Sequence, residues 1–246
     1  MILGMNLPLS RDGILYNLDD QVKIECNDCN GCQKCCENMD DTIILDPYDI
    51  WQLTHKLKVS GGGMVTFELL ISEDGPLALG NNDGIILPHM KMVETEREDI
   101  GACSFLNNGR CSIHFCRPGM CRLYPLGRIY TENNNQTEVG YIILDDKFGC
   151  KIQDTNYIKV RDWIGIPEER YQDFLVKWHD LKKQVVSKVE TGELTIDSKE
   201  YMDIQMKLLQ VFYSTPYKDE FFREFDERLK AFCHSSGSVS IGFECC

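Results

Sequence analysis

The sequence predicts an α+β fold in which a cysteine-rich region of short strands and hairpins precedes a helical region. Ten of the thirteen cysteines lie before residue 151, together with most of the glycines and turn sequences. After about residue 162, apolar residues recur at the three- and four-residue spacing of amphipathic helices. We therefore predict a cysteine-cluster metal-binding domain at 1–155, a helical region at 156–234 packed on it, and a flexible Cys-terminated tail at 235–246.

The elements of the first region are predicted from caps, apolar runs and turns. Asp46 followed by Pro47 is typical of a helix start, and Gly61-Gly62-Gly63 should end that helix. Short strands are expected at 66–71, 77–79 and 85–87, between turn sequences. Two hairpins should follow. The first joins 103–106 to 110–113 around Asn107-Asn108-Gly109, and the second pairs 126–130 with 139–144 across a loop at 131–137.

Three amphipathic helices are expected in the second region, at 167–190, 197–213 and 217–232. Each has a stripe of apolar and aromatic residues along one face. Stripes of this kind form a hydrophobic core more often than a cofactor site, and we assign them to the core. At 246 residues the chain is long enough to bury such a core without cross-links.

Composition excludes several classes of partner. The formal net charge is −13 and no basic patch offsets it, which argues against nucleic acid. The longest apolar runs are far shorter than a membrane span, and the N-terminal sequence lacks the basic start and apolar stretch of a signal peptide. We therefore expect a cytoplasmic protein that acts on a protein or small-molecule substrate. In that compartment thiols stay reduced, so clustered cysteines indicate metal or redox chemistry.

Residues 26–36 contain five cysteines within a polar run of Asn, Asp, Gln and Lys. Cysteines that only fill a core follow the period of a helix or strand, whereas these are three apart and end in the adjacent pair Cys35 and Cys36. Metal binding explains this pattern best, through iron–sulfur or zinc chemistry. The candidate ligands in this run are Cys26, Cys29, Cys32, Cys35 and Cys36.

A second group of cysteines lies downstream, at positions 103, 111, 116, 121 and 150. Cys103 and Cys111 flank a predicted tight hairpin, which can present both sulfurs to one metal. Arg117 and Arg122 would lie beside thiolates, whose negative charge requires cations or N–H donors. Of the five histidines only His114, between Cys111 and Cys116, is considered as a ligand.

These two blocks resemble the zinc- or iron-chelating cysteine-cluster (CxxCxxCC) family, whose members are often labelled iron–sulfur-cluster-containing proteins. The resemblance covers about residues 26–150, and its second block includes Arg117-Pro118 and Tyr124-Pro125. It implies a metal whose ligands include Cys29, Cys32, Cys35, Cys36, Cys103, Cys111, Cys121 and Cys150. Cys26 and Cys116 lie outside the pattern. A related pattern occurs in flagellin lysine N-methylases, which suggests protein modification as a role.

The spacing leaves the metal open. Cys26, Cys29, Cys32 and Cys36 reproduce the spacing of a bacterial ferredoxin run, although Glu37 occupies the place of its proline. Zinc sites more often combine two cysteines of one knuckle with two cysteines of another. Cys29 and Cys32 could form such a site with Cys103 and Cys111. We prefer iron–sulfur, as one or two centres, and keep zinc as the alternative. Adjacent Cys35 and Cys36 would serve two neighbouring centres more easily than one.

Three functions follow from this sequence. The first is an iron–sulfur protein with redox or protein-modifying chemistry, and the second is a zinc protein with a structural or metal-handling role. The third is an interaction module in which the metal site is scaffold. No catalytic motif is recognisable, so whether the protein is an enzyme stays open at this stage. We expect the helices to cover the metal and to leave one opening lined by Arg117, Arg122 and Tyr124.

Overall fold

The computed structural model describes residues 9–24, 33–59, 61–95, 101–134, 136–145, 156–166, 169–218 and 220–235. The chain divides into two compact units, one made of residues 1–43 and 90–169 and the other of residues 44–89 and 170–246. Both units are therefore built from two separate stretches of the chain. Residues 44–89, which the predicted domain boundary at 155 assigns to the cysteine region, share a unit with the C-terminal helices.

The described residues form short antiparallel strands and seven α-helices, which confirms the α+β class. The strands are β1 (Gln21–Ile24), β2 (Leu77–Asn82), β3 (Ile85–Met90), β4 (Met92–Glu94), β5 (Gly101–Cys103), β6 (Leu106–Asn107), β7 (Arg110–Cys111), β8 (Leu126–Asn133), β9 (Gln136–Ile143) and β10 (Asn156–Lys159). The α-helices are α1 (Pro47–Lys56), α2 (Phe67–Leu70), α3 (Gly119–Leu123), α4 (Val160–Ile164), α5 (Arg170–Glu190), α6 (Lys199–Leu209) and α7 (Phe221–Ser235). Single 3-10 turns lie at Lys34–Cys36 and His114–Cys116, and a π-helical turn at Gln210–Ser214.

The core of the first unit is built by two strand pairs and two short helices. Strand β1 pairs with β10 and β8 pairs with β9, and residues of both pairs pack with α3 and α4. The buried members are Val22, Ile24, Leu123, Leu126, Tyr141, Ile143, Val160 and Ile164. Trp163 on α4 donates its indole N–H to the carbonyl of Leu123 at 3.1 Å. This contact ties the end of α3 to the core, so α3 is a firm support for the side chains it carries.

The predicted pairing of 126–130 with 139–144 is confirmed, but its loop is shorter than expected. The strands pair from Leu126 opposite Ile143 to Asn133 opposite Gln136. Asn134 has φ of +49°, a left-handed conformation that Asn tolerates and that lets the chain reverse tightly. The polar residues at 131–133 therefore extend the hairpin.

The helix predicted at Asp46-Pro47 is confirmed, and a capping box fixes its start. The Asp46 side chain accepts the N–H of Asp49 at 2.9 Å, and the Asp49 carboxylate accepts the N–H of Asp46 at 3.2 Å. The helix ends at Lys56, before the three glycines.

The prediction of a strand at 66–71 is wrong, because residues 67–70 form helix α2. The Thr66 side chain accepts the N–H of Leu69 and so caps this single turn. Phe67 and Leu70, three residues apart, both face the interior and are buried. The short segment Phe67-Glu68-Leu69-Leu70 fits a helical turn as well as a strand, and the cap decides between them.

Aromatic side chains fill the core of the second unit, which confirms their assignment to the core. Tyr48 stacks on Phe222 with ring centres 5.4 Å apart, and Phe174 meets Phe225 edge to face at 4.8 Å. Trp178 on α5 packs against Phe212 of the π-helical turn. Among the residues described, no helix is long and apolar enough to cross a bilayer.

The predicted strands at 77–79 and 85–87 are confirmed as the hairpin β2–β3, which is longer than expected. A buried glutamine joins this hairpin to α6. Gln205 accepts the N–H of Ile86 at 2.9 Å and donates to the carbonyl of Gly84 at 3.2 Å. Its side chain is fully buried. Two backbone groups of the hairpin thus depend on one amide for their hydrogen bonds.

Replacing Gln205 with Met should lower the free energy of unfolding by about 1–3 kcal/mol, because the buried amide and carbonyl lose their partners while side-chain volume is kept. Urea denaturation measures this change. Met206→Ala is the matched control, since Met206 is the next residue of α6 and is 59% exposed. The control should shift stability by less than about 0.5 kcal/mol. Equal shifts in the two variants would contradict a structural role for the Gln205 amide.

Candidate metal centre

Five of the nine predicted ligands lie around one cavity in the first unit. The cavity has a volume of about 20 Å³. The cysteines on its wall are Cys35, Cys36, Cys103, Cys111 and Cys121. They come from four chain segments: the 3-10 turn at Lys34–Cys36, strand β5, strand β7 and helix α3. The other four predicted ligands, at positions 26, 29, 32 and 150, lie outside the described residues.

A tight hairpin brings Cys103 and Cys111 to the same wall. Asn107 pairs with Arg110 and Leu106 with Cys111, so Asn108 and Gly109 form a two-residue turn. Both turn residues have positive φ, +48° and +73°, as a type I′ turn requires. Ser112 donates its N–H and its hydroxyl to the carbonyl of Phe105, each at 2.9 Å, which closes the base of the hairpin. The predicted turn around Asn108-Gly109 is confirmed, but the paired strands are shorter than the predicted 103–106 and 110–113, because Cys103 lies in β5 and pairs with Met92 of β4.

The adjacent cysteines are fixed by hydrogen bonds to strand β5. Cys36 donates its N–H to the carbonyl of Gln33 at 2.9 Å, which closes the 3-10 turn. Asn38 donates its N–H to the carbonyl of Gly101 at 2.8 Å, and the N–H of Gly101 returns to the Asn38 side chain at 2.9 Å. Cys35 and Cys36 both line the one cavity. The expectation that Cys35 and Cys36 serve two centres holds for an extended chain, in which adjacent side chains point in different directions. Here the two residues lie in a 3-10 turn instead.

Helix α3 places Cys121, and Arg122 fixes the loop before it. The N–H of Arg122 bonds to the carbonyl of Pro118 at 2.9 Å, and its guanidinium donates to the carbonyls of Arg117 and Phe115 at 2.9 and 3.3 Å. These donors hold the turn from 115 to 118 against the helix. Arg122 therefore shapes the loop and does not line the cavity.

Arg117 is the charged residue on the cavity wall. It is only 8% exposed and lies among apolar neighbours, including Met90, Met92 and Ile113. A buried guanidinium beside several sulfurs can offset the negative charge of a metal centre that thiolates bind. Of the three residues expected at an opening, Arg117 lines the cavity, whereas Arg122 and Tyr124 are half-buried outside its wall.

Cys103 is the most shielded thiol of the wall, with 9% of its surface exposed. Burial raises the pKa of the Cys103 thiol, because a thiolate is poorly solvated there. The backbone N–H of Phe105 donates to the sulfur and so opposes this rise in pKa. The nearby Cys111 raises the pKa further. Metal-bound thiolates are stabilised by N–H donors of this kind, in which the backbone N–H two residues after the cysteine donates to its sulfur.

The described cysteines outside the expected pattern do not line the cavity. Cys116 is completely buried and does not line the cavity, so it packs as a small apolar residue. His114 does not line the cavity either. Cys233 is buried on α7 in the second unit, and the tail cysteines 245 and 246 lie outside the described residues.

The donor set suits a soft metal. The five possible ligands on the wall are all sulfur, and no histidine or carboxylate accompanies them. Among the described residues, no three Cys, His, Asp or Glu side chains form a coordination set as they stand. The run from 26 to 32 ends next to Gln33, whose side-chain oxygen lies 3.5 Å from where a Cβ on Gly109 would be. Gln33 therefore lies beside the hairpin that carries Cys111.

The apolar part of the wall was not identified from the sequence. Ile43, Met90 and Met92 enclose the thiols from one side. Met90 and Met92 alternate with Lys91, and such alternation is the signal that could have placed both side chains on one face. Apolar enclosure excludes water, which strengthens the interaction of a metal with thiolates.

Residues 28–141, just under half of the chain, match the family model CxxCxxCC, described as "Putative zinc- or iron-chelating domain". The matched stretch includes all five cysteines of the cavity wall. Comparison with curated proteins and with solved structures gave no match.

Replacing Gly109 with Ala should weaken metal retention, because a side chain at φ of +73° strains the turn that positions Cys111. A strain of about 1 kcal/mol would lower metal affinity roughly fivefold. Gly192→Ala is the matched control, since Gly192 has φ of +77°, open space around it, and lies in the second unit. Metal content after challenge with a competing chelator checks this. Equal loss in both variants would mean that the hairpin geometry does not matter for the metal.

Proposed function

We propose, from the CxxCxxCC zinc- or iron-chelating domain that the chain carries at residues 28–141, that this protein holds a functional metal centre bound by thiolates. One observation carries the proposal. Five cysteines from four chain segments surround a single small cavity whose described wall has no histidine or carboxylate. Thiols scattered through a core for packing alone would not converge on one cavity beside a buried arginine.

Iron, as an iron–sulfur cluster, is the metal we propose. The wall offers five thiols, more than the four that a single tetrahedral ion uses, and 26–32 supplies three more cysteines in sequence. The spacing of 26, 29, 32 and 36 is that of a ferredoxin run. A ligand set of sulfur alone is typical of such clusters.

Zinc is the second candidate, and the size of the cavity favours it. A volume of about 20 Å³ has room for one water-sized particle. A single tetrahedral ion would need only small movements of the sulfurs, and the Cys103–Cys111 hairpin resembles the knuckles that present paired cysteines to zinc. In that case the centre would be structural or metal-handling.

The exposure of the thiols supports a redox role over a buried structural one. Cys35, Cys36, Cys111 and Cys121 are each partly exposed, and only Cys103 of the five is buried. An iron–sulfur cluster, when bound, supplies a site that accepts and releases one electron. The chain would hold it through these sulfurs, offset its charge with Arg117, and exclude water with Met90 and Met92. A protein or a small molecule of the cytoplasm could accept the electron from such a centre. Modification of a protein substrate is the role suggested by the resemblance to flagellin lysine N-methylases.

Anaerobic purification should yield a brown protein that contains iron and acid-labile sulfide, and the visible absorption should bleach on reduction. Cys121→Ser should remove most of the metal, because it deletes a ligand on the cavity wall. Cys116→Ala should keep the metal, since Cys116 is buried away from that wall. Elemental analysis and absorption spectra of the intact variants measure both effects.

A colourless protein with one zinc per chain would select the second candidate. Loss of metal from Cys116→Ala but not from Cys121→Ser would contradict the proposed centre, whatever the metal. Thermal denaturation of each variant separates loss of a ligand from loss of the fold.

Removal of the metal should loosen one part of the chain only. A thiolate site does not preform in an unfolded chain, so its binding energy contributes to folding. Hydrogen exchange should therefore increase in 33–38 and 101–123, the segments that bear the cysteines. Residues 44–89, which lie between these segments in sequence but in the other compact unit, should keep their protection, as should α5 and α7. Unchanged exchange in 101–123 after complete removal of the metal would show that metal and folding are not linked.

A further inference from the structure

The second unit contains an open groove that the metal centre does not use. Its volume is about 600 Å³, within the range of sites for small organic molecules. The β2–β3 turn forms one wall and a face of α5 forms the other. Gly84 in that turn has φ of +88°, and a Cβ there would lie 3.7 Å from Val189. The turn therefore approaches the helix closely enough to close one side of the groove.

The surface of the groove is partly apolar. Ile85, Val186, Val189 and Ile196 line it, and Ile196 is 46% exposed although it is a large apolar side chain. Asn82 and Ser187 add an amide and a hydroxyl. A surface of this kind accommodates an apolar ligand body and offers a few polar groups that orient it.

Charges are separated along the helix that forms the groove. His179, Lys182 and Lys183 lie at one end, at helical positions that share a face. Glu190 lies at the other end, two turns beyond Lys183 or about 10 Å along the axis. Asp83 lines the groove from the turn that meets Val189, near the acidic end. The groove thus has a basic end and an acidic end, in a chain whose net charge is −13.

The basic end is only partly shielded from water, because His179 and Lys182 are half-buried and Lys183 is exposed. Burial lowers the pKa of His179, and the nearby Lys182 lowers it further, while Asp180 acts in the opposite direction. Coulomb interactions are stronger in such a partly desolvated place than on an open surface. An anion bound there would therefore gain more from the half-buried Lys182 than from the exposed Lys183.

We propose that this groove binds a small amphiphilic anion, with its anionic head at Lys182 and Lys183 and its apolar body on Val186 and Val189. The carboxylates of Asp83 and Glu190 repel the head at the far end and so fix the ligand's direction. Both an anionic group and an apolar body are needed, since either alone satisfies only part of the groove. The site lies within the second unit and does not depend on the metal centre.

The test uses two fluorescent probes that differ by one charge. 8-Anilinonaphthalene-1-sulfonate carries a sulfonate on an apolar body, and N-phenyl-1-naphthylamine has the same body without the sulfonate. Titration of the full chain should show saturable one-to-one binding of the sulfonate, at least about tenfold tighter than the neutral probe, because charge-assisted hydrogen bonds form only with the sulfonate. Sodium decanoate should displace the bound probe, whereas inorganic phosphate and 1-decanol at equal concentration should not.

The double variant Lys182→Gln, Lys183→Gln should weaken sulfonate binding about tenfold and leave the neutral probe unaffected. Lys188→Gln is the matched control on the same helix, since Lys188 lies 3.5 Å from Glu193 and does not line the groove. Glu190→Gln should keep or strengthen sulfonate binding. Equal affinity for the two probes, or equal weakening in the double variant and the Lys188 control, would overturn the proposal. Displacement by phosphate alone would also overturn it, because the apolar body would then be unnecessary. Circular dichroism of each variant excludes probe binding to an unfolded chain.

Discussion

The hydrogen bonds between Asn38 and Gly101 join two cysteine-bearing segments that are 63 residues apart in sequence. Chain entropy opposes such a contact, because the free energy of closing a long loop must be supplied before the cysteines of the two segments can come together. The cost is offset by a compact set of backbone bonds, which includes the bridge of Glu37 to Ala102 and the pairing of β4 with β5. Everything proposed for the metal depends on this junction, since it brings Cys35 and Cys36 to the wall that contains Cys103.

Around this junction, Cys111 and Cys121 are each positioned by a different local structure. The type I′ turn presents Cys111, and helix α3, tied to α4 through Trp163, presents Cys121. Arg122 satisfies two carbonyls of the loop at 115–117 and leaves Arg117 as the cation on the wall. The two arginines look equivalent in sequence, yet one maintains the loop and the other supplies charge. A bound metal would connect these otherwise independent structural elements, so metal binding should be coupled to folding here.

The two compact units carry different chemistry. The first offers sulfur ligands in a small enclosed cavity, and the second offers a larger open groove with separated charges. Helix α5 serves two purposes in the second unit, because Phe174 and Trp178 build the aromatic core while Lys182 and Lys183 face the groove. A 21-residue helix has enough faces to do both. The metal-centre and groove proposals can therefore be tested separately in the same intact chain.

Local chemistry in the sequence determined the cysteine blocks, the Asn-Gly hairpin, the Asp46 cap and the amphipathic helices. Each of these depends on residues within a few positions of one another, so spacing and propensity suffice. Tertiary structure decided the helix at 67–70 and the shared wall of Cys35 and Cys36. It also decided the placement of 44–89 with the C-terminal helices, which the sequence division at 155 did not anticipate. These features depend on contacts between distant segments, and the free energy of such contacts comes from burial and hydrogen bonding that no local pattern records.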